Sequence, residues 1–369
     1  MKQIAIIGAG LLGRLLAWRL HERYQSDCHI TLIDQHARDH FGTGLVAAAM
    51  VAPYTEAVNT EAITQDLGVR STDLWNDWLP GLEAKTASAI SFNQTGTLVI
   101  AHPQDDAVWQ RFQIKANAVV ADGRMQLLDQ QALEVREPQL ATTFAKALYF
   151  ADEGAISNLD LYPALAAYFD QAVNIDWIEN TTVDDFNSDG EIAGFEQRFE
   201  HVFDCRGNGA KADLSGFRSI RGEVARVYAP EVNIKHCVRL MHPRFPLYIA
   251  PRANHEYIIG ATQIESDDDS PVTVRSGLEL LSALYSLHQG FGEAHIIDLL
   301  SALRPTFMTN QPRIEVANSL IRINGLYRHG YLFAPALVAD LLHYLDGEQS
   351  SIRFPQFIFD HLVEEKQRA

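Results

Sequence analysis

The hexapeptide Gly8-Ala9-Gly10-Leu11-Leu12-Gly13 constrains this chain more than any other feature, because of what stands on either side of it. Residues 4–7 form a short apolar run suited to a strand buried on both faces. Beyond the glycines, Leu12, Leu15, Leu16 and Leu20 recur at helical spacing up to Tyr24, and a second strand-like run at residues 29–33 ends on Asp34. In such a strand-turn-helix-strand unit, Gly8 makes the tight turn, Gly10 lets the backbone approach a pyrophosphate, and Gly13 lets the helix pack closely on the strand. The helix N-terminus offers free N–H groups to phosphate, and Asp34 is placed for the hydroxyls of an unphosphorylated adenosine ribose. The unit predicts a Rossmann-like, dinucleotide-binding start. It does not separate NAD from FAD, which share the adenosine diphosphate half.

A second nucleotide unit would point to a chain that takes both. Residues 207–212 match the glycine pattern only loosely, and Asp213-Leu214-Ser215-Gly216 follows instead of an amphipathic helix. We read them as a third strand end passing near the same cofactor.

Length and charge narrow the remaining possibilities. At about 150 residues per domain, 369 residues suggest two domains, and 47% hydrophobic content is ample for both cores. Thirty basic against 47 acidic residues give a net charge of −17, which disfavours nucleic acid as a partner. The longest apolar stretch, residues 45–53, is far short of the roughly 20 residues of a membrane span. No signal-peptide pattern opens the chain, and Cys28, Cys205 and Cys237 form neither a disulfide framework nor a CxxC pair, so a cytoplasmic protein is expected. His36 and His40 have no carboxylate or cysteine arranged with them, and no metal is expected there.

Further along, the small residues at 45–53 suit a backbone passing close to a bulky flat ligand, and residues 63–80 read as a helix ending near Pro80-Gly81. The runs 223–228, 237–241, 247–250 and 257–259, with a hairpin at 252–255, predict an antiparallel sheet in a second domain. A strand at 319–324, a loop, and a helix at 336–345 framed by Pro335 and Gly347 follow, and 364–369 reads as a frayed tail. A helix N-terminus beside a redox ring stabilises negative charge gained on reduction.

The glycine start, Ala48-Ala49-Met50-Val51-Ala52-Pro53, Tyr248-Ile249-Ala250-Pro251-Arg252, Ile259-Gly260-Ala261-Thr262, Leu303-Arg304-Pro305 and Tyr327-Arg328-His329-Gly330 together resemble the D-amino acid oxidase family of FAD enzymes, in order and over nearly the whole length. The resemblance is strongest to its glycine-oxidising members. It implies an α/β (α+β two-domain) fold: a Rossmann-like FAD domain from residues 1–82, 145–217 and 298–369, and an antiparallel-sheet substrate domain from 83–144 and 218–297. It further implies non-covalent FAD met by Leu11, Leu12, Asp34, Gln35, Thr43, Gly44, Ala48, Ala49, Met50 and Val183, beside the glycines. Leu326, Tyr327, Arg328, His329, Gly330, Tyr331 and Leu332 would line the isoalloxazine ring. Arg304 and Arg328 would face a substrate carboxylate, with the Tyr248 hydroxyl on the same group. Two departures stand out: Ala49 replaces a usual glycine, and Gln263 replaces a methionine.

The implied activity is oxidative deamination of glycine or a similarly small amino acid by oxygen, in a homo-oligomer. A planar guanidinium suits the task, since it grips a carboxylate bidentately and stays charged. Hydride transfer needs positioning more than a base, so His329 is read as a packing or hydrogen-bonding residue. A D-amino acid or sarcosine-type oxidase or dehydrogenase is the alternative among enzymes. A non-catalytic FAD-binding partner protein is the alternative outside them.

Overall fold

The N-terminal apolar run forms the strand Lys2–Ile7, and the glycine turn leads into the helix Leu11–Tyr24 and back to a parallel strand, Cys28–Ile33. The computed structural model describes residues 1–360 apart from 41, 122 and 243–246, so the tail at 364–369 lies outside the described residues. Among the described residues, a seven-stranded sheet has the order Ile358–Asp360, Arg313–Ala317, Leu320–Asn324, His201–Asp204, Lys2–Ile7, Cys28–Ile33, Ile175–Ile178. The strands from Leu320–Asn324 to Ile175–Ile178 run parallel. Both faces of the first strand are covered, which is why it reads as an unbroken apolar run. Ile4 and Ile6 join the core with the helices Leu11–Tyr24 and Gly330–Leu345, while Ala5 and Ile7 pack with Val183, Ile192 and Phe199.

A nine-stranded sheet, again among the described residues, forms the second layer. Its order is Ile264–Glu265, Phe217–Tyr228, Glu256–Gly260, Leu247–Pro251, Cys237–Met241, Thr97–Ala101, Lys146–Phe150, Met125–Asp129, with His295–Phe307 also paired to Phe217–Tyr228. The pairs are antiparallel except that of Cys237–Met241 with Thr97–Ala101. One face of this sheet packs on the helix Val274–Leu287 through Leu280, Leu284 and Leu287.

Several expected boundaries move. The limit at 298 cuts through His295–Phe307, and that at 145 assigns Lys146–Phe150 to the other domain, although the ladders hold both strands in the second sheet. The run expected at 223–228 is the second half of the longer strand Phe217–Tyr228, whose first half is disguised by charge. Buried Arg221 and Glu223 neutralise each other at 2.8 Å. The helix expected to stop near Pro80 continues as Ile63–Thr86, since Pro80 is exposed while Leu79 and Leu82 are buried. The helix expected at 336–345 begins at Gly330 instead. Pro335 cannot donate to the Tyr331 carbonyl four residues back, but the Trp75 indole N–H does, at 2.8 Å.

The glycine turn is as crowded as its assigned roles require. Gly8 holds φ +101°, and a Cβ on Gly13 would stand 1.9 Å from the Gly8 carbonyl oxygen. Gly13→Ala is therefore expected to cost about 1–3 kcal/mol of stability, read as a lower urea midpoint, and to weaken retention of a bound dinucleotide.

Candidate active site

A cavity of about 460 Å³ is lined by residues from both sheets. It gathers nearly every residue singled out in the sequence. Gly8, Gly10, Leu11, Leu12, Asp34 and Gln35 form one end, and Thr43, Gly44, Ala48, Ala49, Met50 and Val183 continue the wall. Leu326, Tyr327, Arg328, His329, Gly330, Tyr331 and Leu332 line it too, with Tyr248 and Arg304. Gly13 is not on the wall, because it packs against Gly8 behind the turn.

At the glycine end, the backbone N–H groups of Ala9 and His36 donate to the Asp34 carboxylate at 2.5 and 2.8 Å. A Cβ built on Gly10 meets nothing within 4 Å, so the helix N-terminus opens onto free space. Gly207, Asn208 and Gly209, in the turn after the strand His201–Asp204, line the same space. Buried Arg14 holds the turn from behind, donating to the Ala9 carbonyl at 2.7 Å and lying over the rings of Tyr162 and Trp177. An open helix N-terminus, close-packed glycines and a carboxylate at the second strand end fit the adenosine diphosphate half of FAD. His36 and His40 stack ring on ring at 3.8 Å along this wall.

The next segment is held by side chains from distant parts of the chain, of which sequence reasoning missed Asn158. Asn158 Nδ2 donates to the carbonyls of Gly44, Leu45 and Ala47, Arg252 Nη2 to that of Ala48, and the Tyr331 hydroxyl to that of Gly44. Ala49 sits at φ +48°, the left-handed region that glycine adopts freely and alanine does not. The backbone at Ala49 thus holds the conformation that the glycine expected here would adopt without strain. The short helix Pro53–Ala57 follows, with the Tyr54 and Thr55 backbone N–H groups donating to Glu153 at 2.8 and 2.7 Å. Burial pushes the Glu153 carboxyl up to about 7 in spite of these donors.

The far end is defined by charge. Arg304, on the strand His295–Phe307, donates through Nη1 to the Thr262 carbonyl at 3.0 Å. Among the described residues it has no ion-pair partner. Its guanidinium lies against Gly222, where a Cβ would come within 2.2 Å of Nη2, and Gly260 gives the Tyr248 hydroxyl similar room at 3.0 Å. Glycines inside strands often mark such close approaches, and that signal was present in the sequence. Arg328 differs from expectation: it lines the cavity but is paired with Glu56 at 2.8 Å. Glu56 also accepts from Arg239 at 2.8 Å and from His329 Nε2 at 2.9 Å. Burial opposes the charge of Glu56, but Arg328, Arg239 and His329 outweigh it and hold the carboxyl well below its usual range. Burial likewise lowers the His329 pKa, so the imidazole is neutral at neutral pH. Sequence reasoning missed Glu56 and Arg239, because nothing in their spacing marks a long-range ion pair. Gln263 donates to the Tyr327 hydroxyl, joining a loop of the second sheet to the loop before the last long helix.

The family model described as DAO, FAD dependent oxidoreductase, matches residues 3–345. A relative from Rhizobium etli, named as a candidate thiamine biosynthesis oxidoreductase ThiO, is 33% identical over 350 residues, covering 94% of this chain and 97% of its own. The glycine oxidase of Geobacillus kaustophilus is 26% identical over 359 residues, covering 92% of each chain. The crystal structure of glycine oxidase from that organism superposes with a TM-score of 0.84 at 22% identity, covering 98% of this chain and 99% of that one.

Two outcomes follow from the wall. Ala49→Gly relieves a left-handed alanine and is expected to leave stability unchanged or raise it by up to about 1 kcal/mol, as a thermal unfolding shift will show. Glu153 binds its proton more tightly folded than unfolded, so its contribution to stability is full below about pH 4.3 and is lost as pH rises through about 7. Between about pH 5 and about pH 8, wild type should lose about 3 kcal/mol relative to Glu153→Gln in urea unfolding.

Proposed function

The chain belongs to the DAO family of FAD-dependent oxidoreductases, and from that premise we propose that it oxidises glycine or a similarly small amino acid, with oxygen and water, to glyoxylate, ammonia and hydrogen peroxide. The observation that carries this reading is Arg304: a guanidinium with no carboxylate partner among the described residues, facing the cavity that also holds the dinucleotide turn. Burial works against its charge, and an anionic ligand would supply the missing partner.

The residues at this end can bind and orient. A substrate carboxylate takes the free face of Arg304 and a hydrogen bond from the Tyr248 hydroxyl, which stands beside it on the same sheet face. Anchoring the carboxylate fixes where the amine and the Cα–H lie, and such positioning supplies much of the acceleration in this class of reaction. FAD, which the glycine turn, Asp34 and the wall at residues 43–50 would hold, would supply the two-electron redox chemistry that links the amine to oxygen. The helix Gly330–Leu345 brings its N-terminus to the wall that would meet the flavin, where its dipole favours added negative charge. The imino acid product is hydrolysed by water to glyoxylate and ammonia. The name of the Rhizobium etli relative supports a role in thiamine biosynthesis.

Anaerobic titration of the FAD-loaded protein with glycine, sarcosine, D-alanine and D-proline checks the substrate. Bleaching by glycine, with rapid recolouring and peroxide on admitting air, is the expected result; bleaching only by a bulkier amine, or slow recolouring, would favour the D-amino acid or sarcosine-type alternative. Arg304→Ala should keep its FAD and lose on the order of 30-fold to several thousand-fold in turnover efficiency, about 2–5 kcal/mol. Unchanged activity in that variant would remove Arg304 from the site.

A further inference from the structure

The far end of the cavity carries three guanidiniums, those of Arg239, Arg304 and Arg328. Among the described residues, Glu56 is the one carboxylate that meets any of them. It does so from the helix Pro53–Ala57, with Arg239 on the strand Cys237–Met241 and Arg328 in the loop before the last long helix. Arg239 Nη1 is shared between Glu56 and the Thr55 carbonyl, at 2.8 and 3.2 Å, and the residue is almost wholly buried. Arg328 Nη2 is on Glu56, and its Nε lies 3.2 Å from His329 Nε2.

We propose that Glu56 determines the substrate class of this cavity: it takes up Arg239 and Arg328 and leaves Arg304 as the one guanidinium of this end with no carboxylate partner among the described residues, so that amines with one carboxylate are admitted and amines with two are excluded. A second carboxylate could reach only cations already bound to Glu56, and would face that residue's own charge at close range. In a partly desolvated site such like-charge contact is weakly screened and disfavours binding. Glu56 acts through the two arginines and not by touching the reacting atoms, so it is a positioning residue. The inference rests on Arg304 as the carboxylate partner proposed above.

The test uses the FAD-loaded protein at neutral pH, with acetate and malonate as non-oxidisable probes followed by the flavin absorbance. Wild type should bind malonate no more tightly than acetate. Glu56→Gln should shift the malonate-to-acetate affinity ratio by at least about tenfold in favour of malonate, and Glu56→Asp, which keeps the charge, should restore the wild-type preference. Tighter malonate binding by wild type, or an unchanged ratio in Glu56→Gln, would overturn the proposal. If Glu56→Gln loses its FAD, the wild-type ratio decides, because a second available cation would show there as a preference for malonate. Absence of any response to either acid in wild type would instead reject Arg304 as the anion site, and this inference with it.

Discussion

A proline in a helix leaves one carbonyl without a partner, and here the Trp75 indole N–H takes that place at Tyr331. Much of the site depends on this bond. It lets the last long helix begin at Gly330, so that its first turn and the loop before it reach the cavity wall. It also ties that helix to Ile63–Thr86, while the same helix packs with Leu11–Tyr24 in the core. The two ends of the chain thus enclose one space: the first supplies the glycine turn and Asp34, the last supplies the wall that would face a flavin.

Burial of charge is the second constraint, and the chain meets it in two ways. Some buried cations receive a protein carboxylate: Arg221 has Glu223, and Arg239 and Arg328 share Glu56. Others, Arg14 and Arg252, are held by backbone carbonyls in packed surroundings. Arg304 receives a backbone carbonyl, and it lies on a wall of the cavity. A bare guanidinium in such a place is costly unless a ligand completes it. Gly222 and Gly260 make the arrangement possible by leaving out the side chains that would fill the places of Arg304 and Tyr248. The site is therefore shaped as much by missing Cβ atoms as by the groups that remain.

What was legible in the sequence was local. Strand, glycine turn, helix and Asp34 lie within one short segment, and their periodicity and turn chemistry are read without knowing the rest of the fold. The strand runs at 237–241, 247–250 and 257–259 are legible for the same reason, being apolar and bounded by turns. What escaped was whatever depended on a distant partner. The start of Phe217–Tyr228 was hidden because Arg221 and Glu223 cancel each other, and the start of the last helix because Trp75 compensates for Pro335. The pairing of Arg328 with Glu56 spans most of the chain, and no pattern of spacing announces it. Resemblance placed Arg328 on the cavity, but only the geometry shows how its charge is spent.

The two ends of the cavity also differ in what holds a ligand, and the difference bears on how such a site can change. The dinucleotide end offers backbone N–H groups and the absence of side chains, with Arg14 acting from behind on a carbonyl. On that wall Ala49 holds a left-handed conformation that favours glycine. The far end offers side-chain charge: Arg304, the Glu56 cluster, and Gln263 reaching across to Tyr327. There a single replacement alters the number of free charges or the join between the two sheets. The dinucleotide end thus rests on backbone geometry together with the Asp34 carboxylate, while the far end rests on a few charged and polar side chains.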